Sequence, residues 1–501
     1  MVVTHRQPRQ EEHAIRPTGW ENDPEEERFR LSLFDPIILV VYCQFALYFR
    51  LDDAHKDEAA QVLQQGLEKT LSQVRHLCGT IEKDEGGGFS FVKKKGTTVR
   101  YVVRWLEGPE YPSIDDLESQ TFSYKSLGAD PGAFALDGMP YGEGLAVSNP
   151  NNSPTTSGFQ LNFVRGGAMF SSHLHHWAAD LVGWRNFTRQ LADNCRAIWD
   201  AREAAGSGAS EPQWPSWDPA CIDVSRFTKQ LPADQLVDGP PMAPRHRDLP
   251  PQDQFEAVLF HLPKSKAAAL KKLAQPAEEG GGAWVSTYDA MCAFVWRHLT
   301  RVRAPYYGAD PAAVAPWFGE SVDMRARFHN PDPPRRMIRN MLTGGFSEMA
   351  PAHVRLPTVG ELASPDNATP LSHIAMYVRR LTDSVTQEMV EGVLEYIATL
   401  RDQQSISFNL MAKPPLSLFI TDHRPADATA CDFGIGRPLT HRFLTGDGVS
   451  ANLVFVYPPQ ASTGDDDDQG TIWSIGMERD LVPKLRADPE WSQYFEYRGV
   501  D

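Results

Sequence analysis

The chain is poor in cysteine, with six in 501 residues. Cys43, Cys78, Cys195, Cys221, Cys292 and Cys431 are scattered and never paired as Cys-x-x-Cys. That excludes a disulfide framework and a cysteine zinc site, and it fits a reducing compartment. Long apolar runs are missing as well. The richest stretch, Pro36 to Phe49, is broken by Gln44 and falls short of the roughly 20 residues that cross a bilayer. The first thirty residues lack the cationic start and apolar stretch of a secretory signal. Positive charge is in deficit: 49 Lys+Arg stand against 65 Asp+Glu, a net charge of −16. Such a surface gains nothing from counterion release, which argues against nonspecific nucleic-acid binding. Two catalytic signatures are absent. There is no Gly-x-Ser-x-Gly, and Gly86-Gly87-Gly88 and Gly280-Gly281-Gly282 lack the Lys-Ser/Thr of a phosphate loop. The expectation is a cytoplasmic protein with neither membrane nor nucleic acid as partner.

What is present is enough to build large cores. Apolar residues make up 41% and charged residues 23%, and the length suits two to four domains of roughly 150 residues each. Residues 1–30 are polar and read as a mobile leader. Ile37 to Phe49 reads as a strand, followed by an amphipathic helix with Leu63, Leu67, Leu71 and Cys78 on one stripe. Phe89–Val92 and Thr97–Trp105 read as strands around a solvated Lys93-Lys94-Lys95-Gly96 turn. Phe159–Arg165 and Ala168–Leu174 are strands about a glycine turn, and a helix with Trp184, Phe187, Leu191 and Ile198 near one face follows. Residues 206–250, rich in proline and without periodicity, form a crossover linker. Beyond it the pattern resumes: Phe255–His261 as strand, Ser265–Ala274 as helix, and Ser286 as the N-cap of a helix through Trp296. Val385, Met389, Val393 and Ile397 mark a further helix, Leu416–Thr421 and Ala451–Tyr457 are strands, and Asp465–Asp468 is a solvated loop. Mixed strands and helices on both sides of the linker predict an α/β fold in two domains of similar size, 31–205 and 251–501.

The densest group of ionisable side chains is His173-Leu-His175-His176-Trp-Ala-Ala-Asp180, at a junction of strand and helix. Only His176 and Asp180 stand in an i, i+4 relation. An imidazole near neutrality can take a proton from a hydroxyl or amine, and an aspartate can orient it. A histidine that merely packs is the bland reading of each. Zinc is the weaker alternative, because no partner cluster supplies a third and fourth ligand. The second motif is Asp432-Phe-Gly434-Ile-Gly436-Arg437-Pro438, by itself a tight turn. Neither motif is specific alone.

Together, about 250 residues apart, they resemble the BAHD acyltransferase superfamily. Gln160-Leu-Asn-Phe-Val-Arg-Gly166-Gly167 is similar to the strand that leads to the family's histidine. Val285-Ser-Thr-Tyr-Asp-Ala through Trp296 is similar to its Ser-Thr-x-Asp-Ala helix. Val322-Asp-Met-Arg325-Ala-Arg327, followed by Asn340, is similar to its Asp-x-Arg-x-Arg segment. The resemblance spans residues 31 to 500 and is closest to the fungal trichothecene-acetyltransferase type.

It implies two chloramphenicol-acetyltransferase-like domains with a central channel, with the segment around 425–455 packing on the N-terminal domain. Acyl-CoA, most simply acetyl-CoA, and a small-molecule acceptor would enter from opposite sides of a monomer with no permanent cofactor or metal. His176 would be the general base in a ternary complex. Asp180 would be structural, with Arg325 or Arg327 as the partner of Asp180 or of Asp432, and Arg325 is the one placed at the site. Asp432, Gly434 and Gly436 would be structural at the site, and Ser286 and Thr421 would contact CoA. The chain departs from the family at Ile435 (usually Trp), at Arg437 (usually Lys), and at Thr421-Asp422-His423-Arg424 (commonly Ser/Thr-Ser-Trp). Two other readings stand beside this one: a condensation-type enzyme using a carrier-protein-bound donor, and a scaffold with non-acyl chemistry.

Overall fold

The computed structural model describes residues 8–501 apart from 86, 205–210, 277–282, 316, 365–366, 447, 449 and 462–467. The first seven residues, the start of the crossover, Gly86 of the first glycine run, the whole of Gly280-Gly281-Gly282 and Asp465–Asp467 therefore lie outside the described residues.

A six-stranded sheet organises the N-terminal half, in the order Arg9–Ile15, Val99–Trp105, Ser157–Val164, Gly167–His175, Tyr42–Arg50 and Thr440–Phe443. Helices Lys56–Gln73 and Leu181–Ala204 pack on it. The strand Gly167–His175 is buried along its whole length, because both its faces are covered. Ala168, Phe170 and Leu174 alternate into the main core. The intervening His173 and His175 face the other way, toward the loop at 136–148.

A seven-stranded sheet organises the other half, in the order Leu342–Phe346, Phe318–Asp323, Leu418–Asp422, Leu453–Tyr457, Thr471–Glu478, Phe255–Leu262 and Glu496–Val500. Its helices Thr287–Tyr306 and Leu371–Ser384 build a second core around Trp296, Phe318 and Tyr377.

The last strand of the six-stranded sheet comes from far along the chain. Thr440–Phe443 pairs antiparallel with Tyr42–Arg50, placing Phe443 opposite Phe45.

Several local expectations are corrected. Residues 9–30 are not a mobile leader. Arg9–Ile15 pairs with Val99–Trp105, and Glu26–Arg30 with Phe89–Lys94. Both are polar strands, held by backbone ladders and by cross-strand pairs such as Glu12–Arg100, so their composition hides them. The lysine run is not a hairpin tip, since Phe89–Lys94 and Val99–Trp105 enter different sheets. Lys93 is buried and paired with Asp23 and Glu27.

The helix read from Val385 begins only at Gln387, and Val385 terminates the preceding helix Leu371–Ser384. The described part of the crossover is anchored rather than loose: Phe227 packs edge-on against Phe34 and Phe328.

Candidate active site

Between the two halves lies a cavity of about 850 Å³. Residues 37–45 and the histidine loop form one wall, and strands of the seven-stranded sheet form the other. Much of its lining is aromatic. Trp317, Phe346, Phe408 and Phe419 pack against one another on one side, and Phe45, Phe443 and Phe455 on another.

The three motif histidines separate by what they touch. His173 accepts from the Leu136 N–H at 3.1 Å and lies 3.3 Å from the Met139 carbonyl. His175 reaches the Ser148 carbonyl at 2.9 Å and accepts from the Trp177 N–H at 3.2 Å. Both are buried, and burial pushes each imidazole down to about 4. They pin the loop that carries Tyr141 over the cavity.

His176 alone is half-buried and borders the cavity. Its strand has ended, so its backbone is held otherwise. Its N–H donates to the Val41 carbonyl at 2.9 Å. The ring Nδ1 has no hydrogen-bond partner. Burial lowers its proton affinity, opposed by the nearby carbonyls of His176 and Ala179 and by the Asp180 charge. The imidazole is thereby kept neutral at neutral pH, which a general base requires.

Asp180 makes no hydrogen bond to the His176 ring and acts on it only through its charge. Its Oδ1 accepts from the Gly183 N–H at 2.7 Å and from Arg325 Nη2 at 2.9 Å. Its Oδ2 accepts from the Met341 N–H at 2.8 Å and from Arg325 Nη1 at 3.1 Å. This is a two-pronged guanidinium–carboxylate pair across the boundary between the halves. Arg325 continues to Asp323 and to the carbonyls of Met337 and Arg339. Arg327, the other candidate, donates to the carbonyls of Thr382 and Val385 instead.

The Asp432 turn lies elsewhere. None of Asp432, Gly434 and Gly436 is among the residues lining the cavity, so the expectation that they sit at the site is corrected. Asp432 accepts from the Gly434 N–H at 2.9 Å and lies 3.4 Å from Arg196. Phe433 packs edge-on against Phe49. Gly434 has φ +80°, and a methyl there would collide with Trp199. The turn docks onto the helix Leu181–Ala204 because glycine permits both the conformation and the close approach.

Ser286 is likewise redirected. Its hydroxyl caps the helix Thr287–Tyr306 in a reciprocal box with Asp289, and Tyr288, rather than Ser286, borders the cavity. Thr421, Asp422 and His423 do line it. Asp422 is neutralised by Arg424 through bonds of 2.8 and 2.7 Å. Burial, with the His176 charge, pushes His423 down to about 3.

Sequence reasoning missed Asp35 and Glu320 altogether. Asp35 is fully buried and bonded to Arg339 and Asn340. Glu320 is buried in the cavity wall against the Thr382 hydroxyl. Neither has a local signal of its role, because the side chains that define it, Arg339 and Asn340 for Asp35 and Thr382 for Glu320, are distant in the chain.

Two α/β halves that enclose a channel, with a neutral histidine at the junction, define an acyltransferase of the two-domain type. The family model of the trichothecene 3-O-acetyltransferase-like N-terminal domain matches residues 41–195. Acetyltransferase FGR3 of Gibberella zeae is 46% identical over 499 residues, 99% of this chain and 95% of that protein. Trichothecene 3-O-acetyltransferase TRI101 of Fusarium sporotrichioides is 23% identical over 480 residues, 93% of this chain and 95% of that protein. The crystal structure of F. graminearum TRI101 complexed with coenzyme A and T-2 mycotoxin superposes with a TM-score of 0.71 at 19% identity, covering 94% of this chain and all of that one. The chain belongs to the BAHD acyltransferases, in their trichothecene-acetyltransferase-like branch.

Among the described residues no helix is long and apolar enough to cross a membrane.

Proposed function

We propose that the enzyme transfers an acetyl group from acetyl-CoA to a hydroxyl of a small, largely apolar secondary metabolite. The observation that carries this reading is the isolation of His176. Of three adjacent histidines, it alone borders an aromatic cavity and leaves a ring nitrogen for chemistry. His176 takes the acceptor's hydroxyl proton as the oxygen attacks the thioester carbonyl. The tetrahedral oxyanion then collapses, the C–S bond breaks, and the imidazolium returns the proton to the CoA thiolate. No covalent acyl-enzyme is needed.

The relatives' names support the donor and the acceptor class: TRI101 has been crystallised with coenzyme A and T-2 mycotoxin, and eremophilane O-acetyltransferase ORF8 of Penicillium roqueforti is 24% identical over 507 residues. Thr421, on the cavity wall, is the CoA contact retained from the motif reading. The proposed organisation differs from the sequence expectation of halves at 31–205 and 251–501 joined through 206–250 in two respects: the N-terminal half begins with the strand Arg9–Ile15, and it borrows Thr440–Phe443 from the C-terminal half. The enzyme acts as a monomer, since one chain supplies both walls of the cavity. A cytoplasmic location fits the six buried, unpaired thiols.

The test is acetyl-CoA turnover with a panel of hydroxylated sesquiterpenoids, read by CoA release and product mass. Saturable acetyl transfer that disappears in His176→Ala supports the reading. Transfer that persists in His176→Ala removes the assigned base.

A further inference from the structure

The amide of Asn340 sits where the C-terminal half meets the histidine loop. Its Nδ2 lies 3.0 Å from the His176 carbonyl, 2.7 Å from the Trp177 carbonyl and 2.9 Å from Asp35 Oδ1. Two N–H groups are thus shared among three acceptors. Asp35 is fixed from the other side. Its Oδ2 accepts from the Ser32 N–H at 2.7 Å and from Arg339 Nη2 at 3.0 Å.

His176 is consequently held by both of its backbone groups. The N-terminal half takes its N–H through Val41, and the C-terminal half takes its C=O through Asn340. No other side chain holds the ring: Nδ1 has no hydrogen-bond partner, and the groups that act on the imidazole from close by are the carbonyls of His176 and Ala179 in its own turn. The direction of the imidazole is therefore set through the backbone from which it hangs.

We propose that Asn340, braced by Asp35, is a positioning residue for His176, holding the His176 and Trp177 carbonyls so that the base is aimed into the cavity only while the two halves are seated together. The inference rests on the reading of His176 as the base. A misplacement of about 1 Å can cost a reaction roughly a hundredfold, which sets the expected size of the effect.

The test compares the full-length wild type with Asn340→Ala, Asn340→Ser, Asp35→Asn/Asn340→Ala and His176→Ala. Each is examined for acetyl-CoA binding by calorimetry, for kcat and KM, and for the pH dependence of kcat/KM. Asn340→Ala is expected to bind acetyl-CoA as the wild type does and to keep its KM within threefold, while kcat falls about 10- to 100-fold. Freed from Asn340, the His176 carbonyl accepts more strongly from its own protonated ring. The acid limb of the profile therefore moves upward. The titratable and charged groups around that ring are Asp180 (bound to Arg325), His175 and His423. The double variant is expected to be no slower than Asn340→Ala, because Asp35 acts through the amide.

A kcat within threefold of wild type overturns the proposal. So does a loss of kcat matched by a loss of CoA binding, with the acid limb unmoved, since that pattern marks a merely structural residue. Should Asn340→Ala fail to fold, Asn340→Ser is judged by the same readouts. An active His176→Ala sinks the base assignment and this inference with it. An inactive His176→Ala beside a full-speed Asn340→Ala sinks the inference alone.

Discussion

Arg325 crosses from the C-terminal half and closes on Asp180 with both terminal nitrogens, at 2.9 and 3.1 Å, while its backbone neighbours lie along the Met337–Met341 segment. The pair is almost wholly buried. Asp180 also accepts two backbone N–H groups, so the motif aspartate is a fastening between the halves rather than part of a catalytic dyad. Gly183 belongs to the same fastening: a methyl there would run into the Ile338 carbonyl.

Asp180→Ala takes from the buried Arg325 its two-pronged partner, leaving it only the more exposed Asp323, and strands two N–H donors. A loss of about 3–5 kcal/mol is expected, read as a lowered urea midpoint. Arg325→Lys keeps the charge but not the fork, so it should also be destabilising. A variant of Asp180 within about 1 kcal/mol of wild type would contradict the assignment.

The pH–rate profile should report His176. Burial lowers its proton affinity, and only the neutral ring can accept a proton. The acid limb of kcat/KM is therefore expected below the ordinary imidazole value of about 6.5, with full activity above it. His176→Ala should lose about 10²–10⁴-fold in rate with its thermal midpoint little changed. An acid limb at or above 6.5 would contradict the electrostatics described for this ring.

Glu320 gives an opposite dependence, in stability. Burial, opposed by the Thr382 hydroxyl and reinforced by Asp289, raises its carboxyl to about 8. Its folded value lies above the unfolded one near 4.5. Its contribution is thus complete below pH 4.5 and lost as pH rises toward 8, by at most about 1.4 kcal/mol per pH unit. Glu320→Gln keeps an oxygen for Thr382 and cannot ionise. Urea unfolding at pH 5, 6.5 and 8 should show the wild type weakening against the variant, and parallel curves would refute the account.

Gly434→Ala tests the second motif. Its positive φ and the contact with Trp199 predict a loss of stability of roughly 1–3 kcal/mol. Because the turn lies off the cavity, kcat per folded molecule should stay within about twofold of wild type. A selective loss of kcat would place the turn in the catalytic apparatus.

The sequence showed a two-domain α/β fold and most strands, since periodicity and turn residues are local. It also showed the histidine cluster. Burial pattern alone does not tell the histidines apart, because the strand Gly167–His175 is buried on both faces and its alternation carries no polar contrast; His176 is named through its spacing from Asp180 and the family resemblance. The choice between Arg325 and Arg327 was closed to sequence reading for another reason: the deciding contact joins residues 145 positions apart. Asp35 and Asn340 fall in the same class. Polar edge strands such as Arg9–Ile15 look like a leader because their stability lies in backbone pairing. Lys93-Lys94-Lys95-Gly96 has turn chemistry, yet its flanking strands part into separate sheets.

The strand Thr440–Phe443 bears on how the protein is made. Tyr42–Arg50 is synthesised early, and its outer edge stays without its partner until residues 440–443 have left the ribosome. Positions 50 and 440 lie 390 apart in the sequence. Asp180 likewise waits for Arg325. During translation the N-terminal half therefore carries an open sheet edge for hundreds of residues and a lone Asp180 carboxylate for 145, features that invite association with other nascent chains. The half that presents the histidine is completed only after four strands of the other sheet, through Leu418–Asp422, have been made, so its assembly is tied to theirs.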